Sequence, residues 1–167
     1  MAFVNLKKKE VQVKIVYYGP GRGDFLPFEI GKIGGYDVKI QLYTVPGQVK
    51  YNATRRLVLR GVDGIVFVAD SMAVRREKNI LSVKNLKENL SGYKKNLLDI
   101  PVVIQYNKVD LSEQGISLLP KEILEKDLNQ ELKAPSFEAS ALQGTNVVTT
   151  MKKIIMMTMT SIQNELK

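Results

Sequence analysis

A nearly continuous apolar run in the middle of the chain constrains the fold more than any other stretch. Residues 64–70 read Gly-Ile-Val-Phe-Val-Ala-Asp, without the apolar–polar alternation of a strand that has one solvated face. Such a run is typical of a parallel strand buried on both faces. Residues 101–105 form a second run of this kind. Parallel strands are joined by crossover connections, usually helices, so the two runs predict an α/β fold.

Strand-like and helix-like patterns alternate around these two runs. A strand over residues 11–18 ends at the turn Gly19-Pro20-Gly21, and the glycine-rich stretch 31–35 predicts a hairpin. Together the patterns predict one domain over residues 1–167, built on a mixed, mostly parallel sheet of six strands with helices on both faces. The other predicted strands are 25–30, 36–44 and 136–140, and the predicted helices are 49–60, 76–91, 120–132 and 147–166. Pro120 is predicted at the first position of the third helix. Methionines 151, 156, 157 and 159 are predicted on the core face of the last helix.

The composition excludes several kinds of chemistry. The chain has no cysteine for a disulfide or thiolate site, and no histidine, the commonest general base and metal ligand. Any catalysis must therefore use carboxylates, amides, hydroxyls, backbone donors or a bound metal ion. No segment resembles a signal peptide, a prenylation site or the roughly 20 apolar residues of a membrane helix. We expect a cytoplasmic protein without an integral membrane segment.

The net charge of +8 is concentrated in residues 50–95, which we call the basic segment. It holds eleven Lys and Arg against four Asp and Glu. Such a segment favours an acidic partner, a phosphate-rich ligand or an anionic surface, although a solvated helix face explains it equally well. No aromatic platform is interleaved with the basic residues, so we do not expect a nucleic-acid partner.

The buried run at 101–105 leads directly into Asn107, Lys108 and Asp110, a motif with the chemistry to select guanine. Ligands of open α/β sheets bind outside the carboxyl ends of the strands, where these residues are placed. Asp110 can accept from both N–H groups on one edge of guanine, a pair that adenine does not offer. The stem of Lys108 can lie along a flat ring, and Asn107 can tie neighbouring loops together. The alternative is an ordinary surface turn, which uses the same residue types.

Three more loops are predicted at the same edge of the sheet, at residues 19–21, 44–48 and 140–144. Ser140-Ala141-Leu142 could offer a backbone N–H to a base oxygen. The second of these loops, Thr44-Val45-Pro46-Gly47-Gln48, ends in a glycine and a glutamine. At this position a GTPase carries the glutamine that orients the attacking water. Taken alone, this last segment is better explained by a plain strand-to-helix turn, with its proline and glycine ending the strand.

Taken together, these segments resemble the MglA family, bacterial Ras-like small GTPases of gliding motility and cell polarity. The threonine at position 44, where most small GTPases have aspartate, is a trait of that family. The resemblance covers the whole chain in order and weakens after Leu111. It is carried by residues 14–21 (KIVYYGPG), 42–48 (LYTVPGQ), 61–71 (GVDGIVFVADS) and 103–108 (VIQYNK).

The resemblance implies a Ras-like fold and a GTP/GDP switch with Mg²⁺, recruited to cell poles. It implies that Gln48 orients water and that Thr44 to Gly47 form part of the second switch. Partners would be a Roadblock-type activating protein and polarity effectors, for which the basic segment is the expected docking region. The resemblance assigns guanine reading to Asn107, Lys108 and Asp110, supported by Ser140, Ala141 and Leu142.

The phosphate-binding loop of the family is missing from the sequence. The family reads G-x-x-x-x-G-K-[ST], whereas here Gly19, Pro20 and Gly21 remain as the start of the loop and residues 22–24 follow at once. Either the protein lacks the loop with its first helix and first switch, or the sequence omits a segment that the intact protein carries. We favour the second explanation, because losing a helix would bare one face of buried strands. GTP hydrolysis is expected only if the segment exists, and a nucleotide-free interaction module is the alternative.

Overall fold

A computed structural model of the protein describes residues 3–7, 10–20, 25–33 and 36–166. Six of its strands lie in one sheet in the order β3-β4-β2-β5-β6-β7. All neighbours in this path pair in parallel except β3, which pairs antiparallel with β4 at the edge. This confirms the predicted mixed sheet. The strands are β1 Phe3–Asn5, β2 Glu10–Tyr18, β3 Phe25–Ile33, β4 Tyr36–Thr44, β5 Gly64–Asp70, β6 Val102–Asn107 and β7 Ser136–Glu138.

Helices cover both faces of the sheet, as the alternating pattern predicts. Residues on and beside α1, α2 and α3 pack against one face, which holds Val16, Ile65 and Ile104. Residues of α4 pack against the other face, which holds Ile15 and Val66. The helices are α1 Asn52–Val58, α2 Arg76–Ser91, α3 Lys121–Leu128 and α4 Val147–Leu166, with short 3₁₀ helices at Val49–Tyr51, Ala73–Arg75, Leu97–Asp99 and Val109–Gln114.

The central strand β5 is buried on both faces, which confirms the reading of its apolar run. Ile65 and Phe67 belong to the cluster on one side, and Val66 belongs to the cluster on the other. A close approach of α4 adds to this burial, since a Cβ on Gly64 would lie 2.2 Å from Oγ1 of Thr158. The glycine therefore lets α4 lie directly on the strand.

Several predicted boundaries were wrong by a few residues. Strand β3 continues to Ile33 and so extends into the segment predicted as the turn, residues 31–35. Residues 34 and 35 lie outside the described part. Helix α3 begins one residue after Pro120 and ends at Leu128, four residues short of the prediction. The seventh strand, β1, pairs antiparallel with the start of β2. It was not predicted, because three residues are too few to carry a pattern.

The methionines of α4 occupy different environments. Met159 is buried, and Met151 and Met157 pack against the core cluster, as predicted for gap-filling residues. Met156 is 63% exposed, so the prediction was wrong for this residue. Within the described residues, no helix is long and apolar enough to cross a membrane.

Two adjacent tyrosines of β2 allow a matched test of this packing. The hydroxyl of Tyr18 donates to Asn85 Oδ1 and accepts from Asn89 Nδ2 at 3.1 Å. The buried hydroxyl of Tyr17 has no hydrogen-bond partner in the described part of the chain, and burial raises the pKa of Tyr17 to about 12. Removing the Tyr18 hydroxyl takes two hydrogen bonds from the network, in which Asn85 still accepts from Arg55 and Asn89 still donates to Asn52. Removing the Tyr17 hydroxyl breaks no hydrogen bond among the described residues and relieves the burial of an unpaired group.

We therefore expect Tyr18→Phe to lower the free energy of unfolding by about 1–2 kcal/mol and Tyr17→Phe to leave it unchanged or raise it slightly. Urea denaturation at neutral pH measures both values. Equal losses in the two variants would contradict the assignment of the hydrogen bonds.

Candidate functional site

The carboxyl ends of the parallel strands meet at one rim of the sheet. Strand pairing places Asp70 of β5 opposite Asn107 of β6, and Tyr17 of β2 opposite Thr44 of β4. The loops that follow these strands therefore start side by side, which is the arrangement of ligand sites in open α/β sheets.

Two hydrogen bonds join the loop after β6 to the loop after β7. The side-chain oxygen of Asn107 accepts from the Ala141 N–H at 2.8 Å, and the Val109 N–H donates to the carbonyl of Ala139 at 3.1 Å. Asn107 thus lies where the sequence predicts a tie between loops. Because the Ala141 N–H is already engaged, a base oxygen arriving there would compete with Asn107.

Lys108 follows in a left-handed backbone conformation, with φ of 71°, which is uncommon for a residue with a side chain. Its ammonium donates to Asp70 Oδ2 at 2.8 Å, while its side chain stays 43% exposed. The stem is therefore open on the rim, where a flat ring could lie against it. Sequence reasoning missed Asp70, although a carboxylate that ends an apolar strand at the predicted rim is a usable signal.

Asp110 and Ser140 are both buried at this rim. Asp110 lies in the first turn of the 3₁₀ helix Val109–Gln114 and is 8% exposed. Ser140 is fully buried, its hydroxyl accepts from the Gln143 N–H at 3.1 Å, and its own N–H donates to the carbonyl of Thr145. The side chain of Leu142 is 84% exposed, so only its backbone is placed to serve a ligand.

The remnant of the phosphate loop is packed tightly against two neighbouring segments. A Cβ on Gly19 would lie 2.0 Å from the carbonyl oxygen of Val68, and a Cβ on Gly47 would lie 2.3 Å from the carbonyl carbon of Pro20. Pro20 therefore lies directly against the glycine that the resemblance assigns to the second switch. Gly21 lies outside the described residues.

The segment from Thr44 to Gln48 leaves the sheet as a loop. Thr44 ends β4, and the buried Val45 donates its N–H to the carbonyl of Tyr17 at 3.2 Å. The Gln48 residue is exposed to solvent. The loop is held from beneath by Arg55, whose Nη1 donates to the carbonyls of Pro46 at 2.9 Å and Gln48 at 2.6 Å.

Arg55 is the centre of a polar hub, which we define as Tyr18, Asn52, Arg55, Asn85 and Asn89. The Arg55 side chain is buried, and its Nε donates to Asn85 Oδ1 at 3.0 Å. Asn85 and Asn89 of α2 both donate to Asn52 Oδ1 of α1. The hub therefore connects the end of β2, α1, α2 and the loop that carries Gln48. Sequence reasoning missed Arg55, which looks like any other cation of the basic segment.

A cavity of about 520 Å³ lies between α1 and α2, and its lining includes none of residues 107–110 and 140–142. Exposed apolar side chains stand at its edge, with Val49 91% and Leu81 59% exposed. Two exposed cations, Lys78 and Lys84, share this lining. The remaining lining residues are Pro20, Gly47, Gln48, Asn52, Arg55, Ser82, Asn85 and Glu88.

The described residues do not supply the ligands for Mg²⁺ that this kind of site needs. In P-loop NTPases an aspartate and the hydroxyl of the phosphate loop hold the ion. Here Thr44 stands in place of the aspartate, and no cluster of three acidic, cysteine or histidine side chains occurs among the residues that the structure describes. No catalytic step through a metal ion is therefore derived for this chain.

Comparison with known proteins agrees with the fold. The sequence model of the Ras family matches residues 25–160. The chain is also 38% identical to the "Mutual gliding-motility protein MglA" of Myxococcus xanthus (strain DK1622), over an alignment that covers 98% of each protein. The resemblance inferred from the motifs and the Ras-like α/β fold are confirmed.

The same alignment contains a stretch that this chain lacks. It runs over 197 positions, whereas the chain has 167 residues. The family match begins at residue 25, immediately after the point where the motifs break off. Both observations fit a deletion, relative to other members, between the end of β2 and the start of β3.

The Arg55 hub leads to a test of how the Gln48 loop is held. Lysine keeps the charge but has a single nitrogen, which cannot occupy the positions of both Nη1 and Nε. We expect Arg55→Lys to lower the free energy of unfolding by about 2 kcal/mol and to speed amide exchange at residues 47–49. Urea denaturation and hydrogen exchange measure the two effects. The exposed Arg56→Lys is the matched control, and identical behaviour of the two variants would contradict the role of Arg55.

Proposed function

The chain belongs to the Ras family, and we propose that it binds guanine nucleotides at the rim formed by residues 107–110 and 140–142. The observation that carries the proposal is a pair of hydrogen bonds, from the Ala141 N–H to the Asn107 side-chain oxygen and from the Val109 N–H to the Ala139 carbonyl. They hold the carboxylate loop and the serine loop side by side. A preformed site of this kind costs little to order when the ligand binds.

Each rim residue then has a chemical role. The carboxylate of Asp110 accepts from the two N–H groups on one edge of guanine, and burial strengthens these charge-assisted bonds. The stem of Lys108 covers one face of the ring. Asn107 fixes the loop, and the backbone of residues 140–142 offers an N–H to the base oxygen. Adenine presents no matching pair of donors, so the site selects guanine.

The biological role that we propose is that of a GTP/GDP switch in gliding motility and cell polarity, with recruitment to cell poles. The name of the M. xanthus relative refers to gliding motility, and its alignment covers 98% of this chain. Gln48 would orient the attacking water and residues 44–47 would act as part of a switch. These two roles need the phosphate loop and Mg²⁺, and hence a segment between β2 and β3 in the intact protein.

The alternative is an interaction module that works without nucleotide. The contact of Pro20 with Gly47 favours it, because the chain itself lies against the glycine that would respond to a phosphate. Titration of the 167-residue chain with GDP and GTP separates the two functions. Measurable partner binding without any nucleotide binding would support the module.

We propose that protein partners, including a Roadblock-type activating protein, dock on the basic segment at the cavity between α1 and α2. Exposed Val49 and Leu81 provide apolar contacts there, and Lys78 and Lys84 provide charge. Such a combination suits an acidic surface that carries an apolar side chain. The guanine-reading rim lies outside this cavity, so a partner and a base can be bound together.

The base specificity is tested by Asp110→Asn. The amide cannot accept from both N–H groups of guanine, so we expect the affinity for GDP to fall about 100-fold and that for xanthosine diphosphate to rise. Titration with GDP, XDP and ADP measures the preference. Asp127→Asn, which removes the carboxylate partner of the exposed Arg76 away from the rim, is the control. Equal affinity of the wild-type protein for ATP and GTP would defeat the proposal.

The docking surface is tested by Lys84→Glu in a binding assay with a Roadblock-type protein from the same organism. Reversing an exposed charge slows electrostatically steered association, so we expect a rate about tenfold lower at low salt and little difference at 0.5 M salt. Lys121→Glu on α3 is the matched control, because it makes the same charge change away from the cavity. Equal slowing by both variants would place the partner elsewhere.

A further inference from the structure

We propose that Asp70 is a positioning residue of the guanine site, which holds the Lys108 side chain in place as the platform for the base. The inference rests on the proposed guanine binding and adds to it a residue of a different strand. No motif of the sequence points to this role, since Asp70 belongs to β5 and the guanine-reading residues follow β6 and β7.

Hydrogen bonds within the protein fix the carboxylate of Asp70 in place. The residue is 7% exposed, and its Oδ1 accepts from the Met72 N–H at 3.0 Å. Its backbone exchanges two hydrogen bonds with the fully buried side chain of Asn79, at 2.9 and 2.8 Å. These bonds hold the backbone of Asp70 and the first oxygen of its carboxylate, and the second oxygen accepts a hydrogen bond from Lys108.

That hydrogen bond comes from the Lys108 ammonium, at 2.8 Å. A lysine chain has four rotatable bonds, so an unanchored Lys108 would sample many orientations at an open rim. The ion pair pins the end of the chain and leaves the methylene stem exposed along the rim. The pair also offsets the strain of the left-handed backbone at Lys108, a conformation that persists only where the surroundings enforce it.

Two consequences distinguish a positioning role from a purely structural one. Loss of either partner should weaken nucleotide binding to a similar extent, because each loss frees the same side chain. Loss of both should weaken it no further, since a single interaction cannot be broken twice. The preference for guanine over xanthine should stay that of the wild type, because Asp110 and not Asp70 reads the edge of the base.

The test compares the full chain with Asp70→Asn, Lys108→Met and the double variant, by titration with a fluorescent GDP analogue. We expect each single variant to bind about tenfold more weakly and the double variant to match the weaker single one. Asp127→Asn, which breaks the exposed ion pair with Arg76, is the control and should bind like the wild type. Binding by Asp70→Asn as tight as by this control would overturn the inference, as would a double variant about 100-fold weaker than the wild type.

Thermal melting of the same four proteins without ligand separates this inference from the proposed function. If the pair forms as described, the three rim variants should share one downward shift of Tm of about 3 °C, again without additivity. A wild-type protein that binds no guanine nucleotide would refute the proposed function and with it the role of Asp70 in guanine binding, while a shared Tm shift would still confirm the ion pair. Independent, additive Tm shifts would refute the ion pair itself, whatever the nucleotide titration gives.

Discussion

The register between β5 and β6 is the constraint on which the candidate site depends. The two strands pair in parallel with Asp70 opposite Asn107. A slip by one residue would turn every side chain of the buried strand to the other face, so the two core clusters lock this register. The polar residues at the ends of β5 and β6 therefore lie side by side. The Ser71 N–H donates to the Asn107 carbonyl, and the Lys108 ammonium donates to the Asp70 carboxylate. The packing of the apolar core thus determines where the polar groups at the ends of β5 and β6 lie.

A second constraint connects the Gln48 loop to the sheet through polar contacts. Burying a guanidinium is costly unless its donors are satisfied, and Arg55 meets this condition with two loop carbonyls and Asn85. A satisfied buried network favours one geometry over its alternatives. The cavity between α1 and α2 is lined by three hub residues: Asn52, Arg55 and Asn85. A partner that separates α1 from α2 would therefore act on the loop through the hub.

The sequence predicted most of the fold, because its longest elements carry strong patterns. Strand β5 and helices α2 and α4 were predicted with the bounds observed. The site was predicted in part: the motif at Asn107 marks the rim, and the parallel topology brings Ser140 beside it. Asp70 and Arg55 were missed, because their roles arise from contacts between elements. The predictions for Met156 and for the end of α3 were wrong for a similar reason. The residues that cover a helix belong to other elements, so the sequence of the helix alone does not specify them.

The two ends of the proposed site depend on different parts of the chain. At the base end, the contacts come from β5, β6, β7 and their loops. At the phosphate end, Pro20 is packed against Gly47, and the chain passes to β3 within a few residues. The pairing of β2 with β4 and β5 ends at Tyr17 and Tyr18, so a longer segment placed after β2 would leave this pairing intact. In the proposed function, base recognition is thus physically separable from phosphate recognition, because the two depend on different contacts.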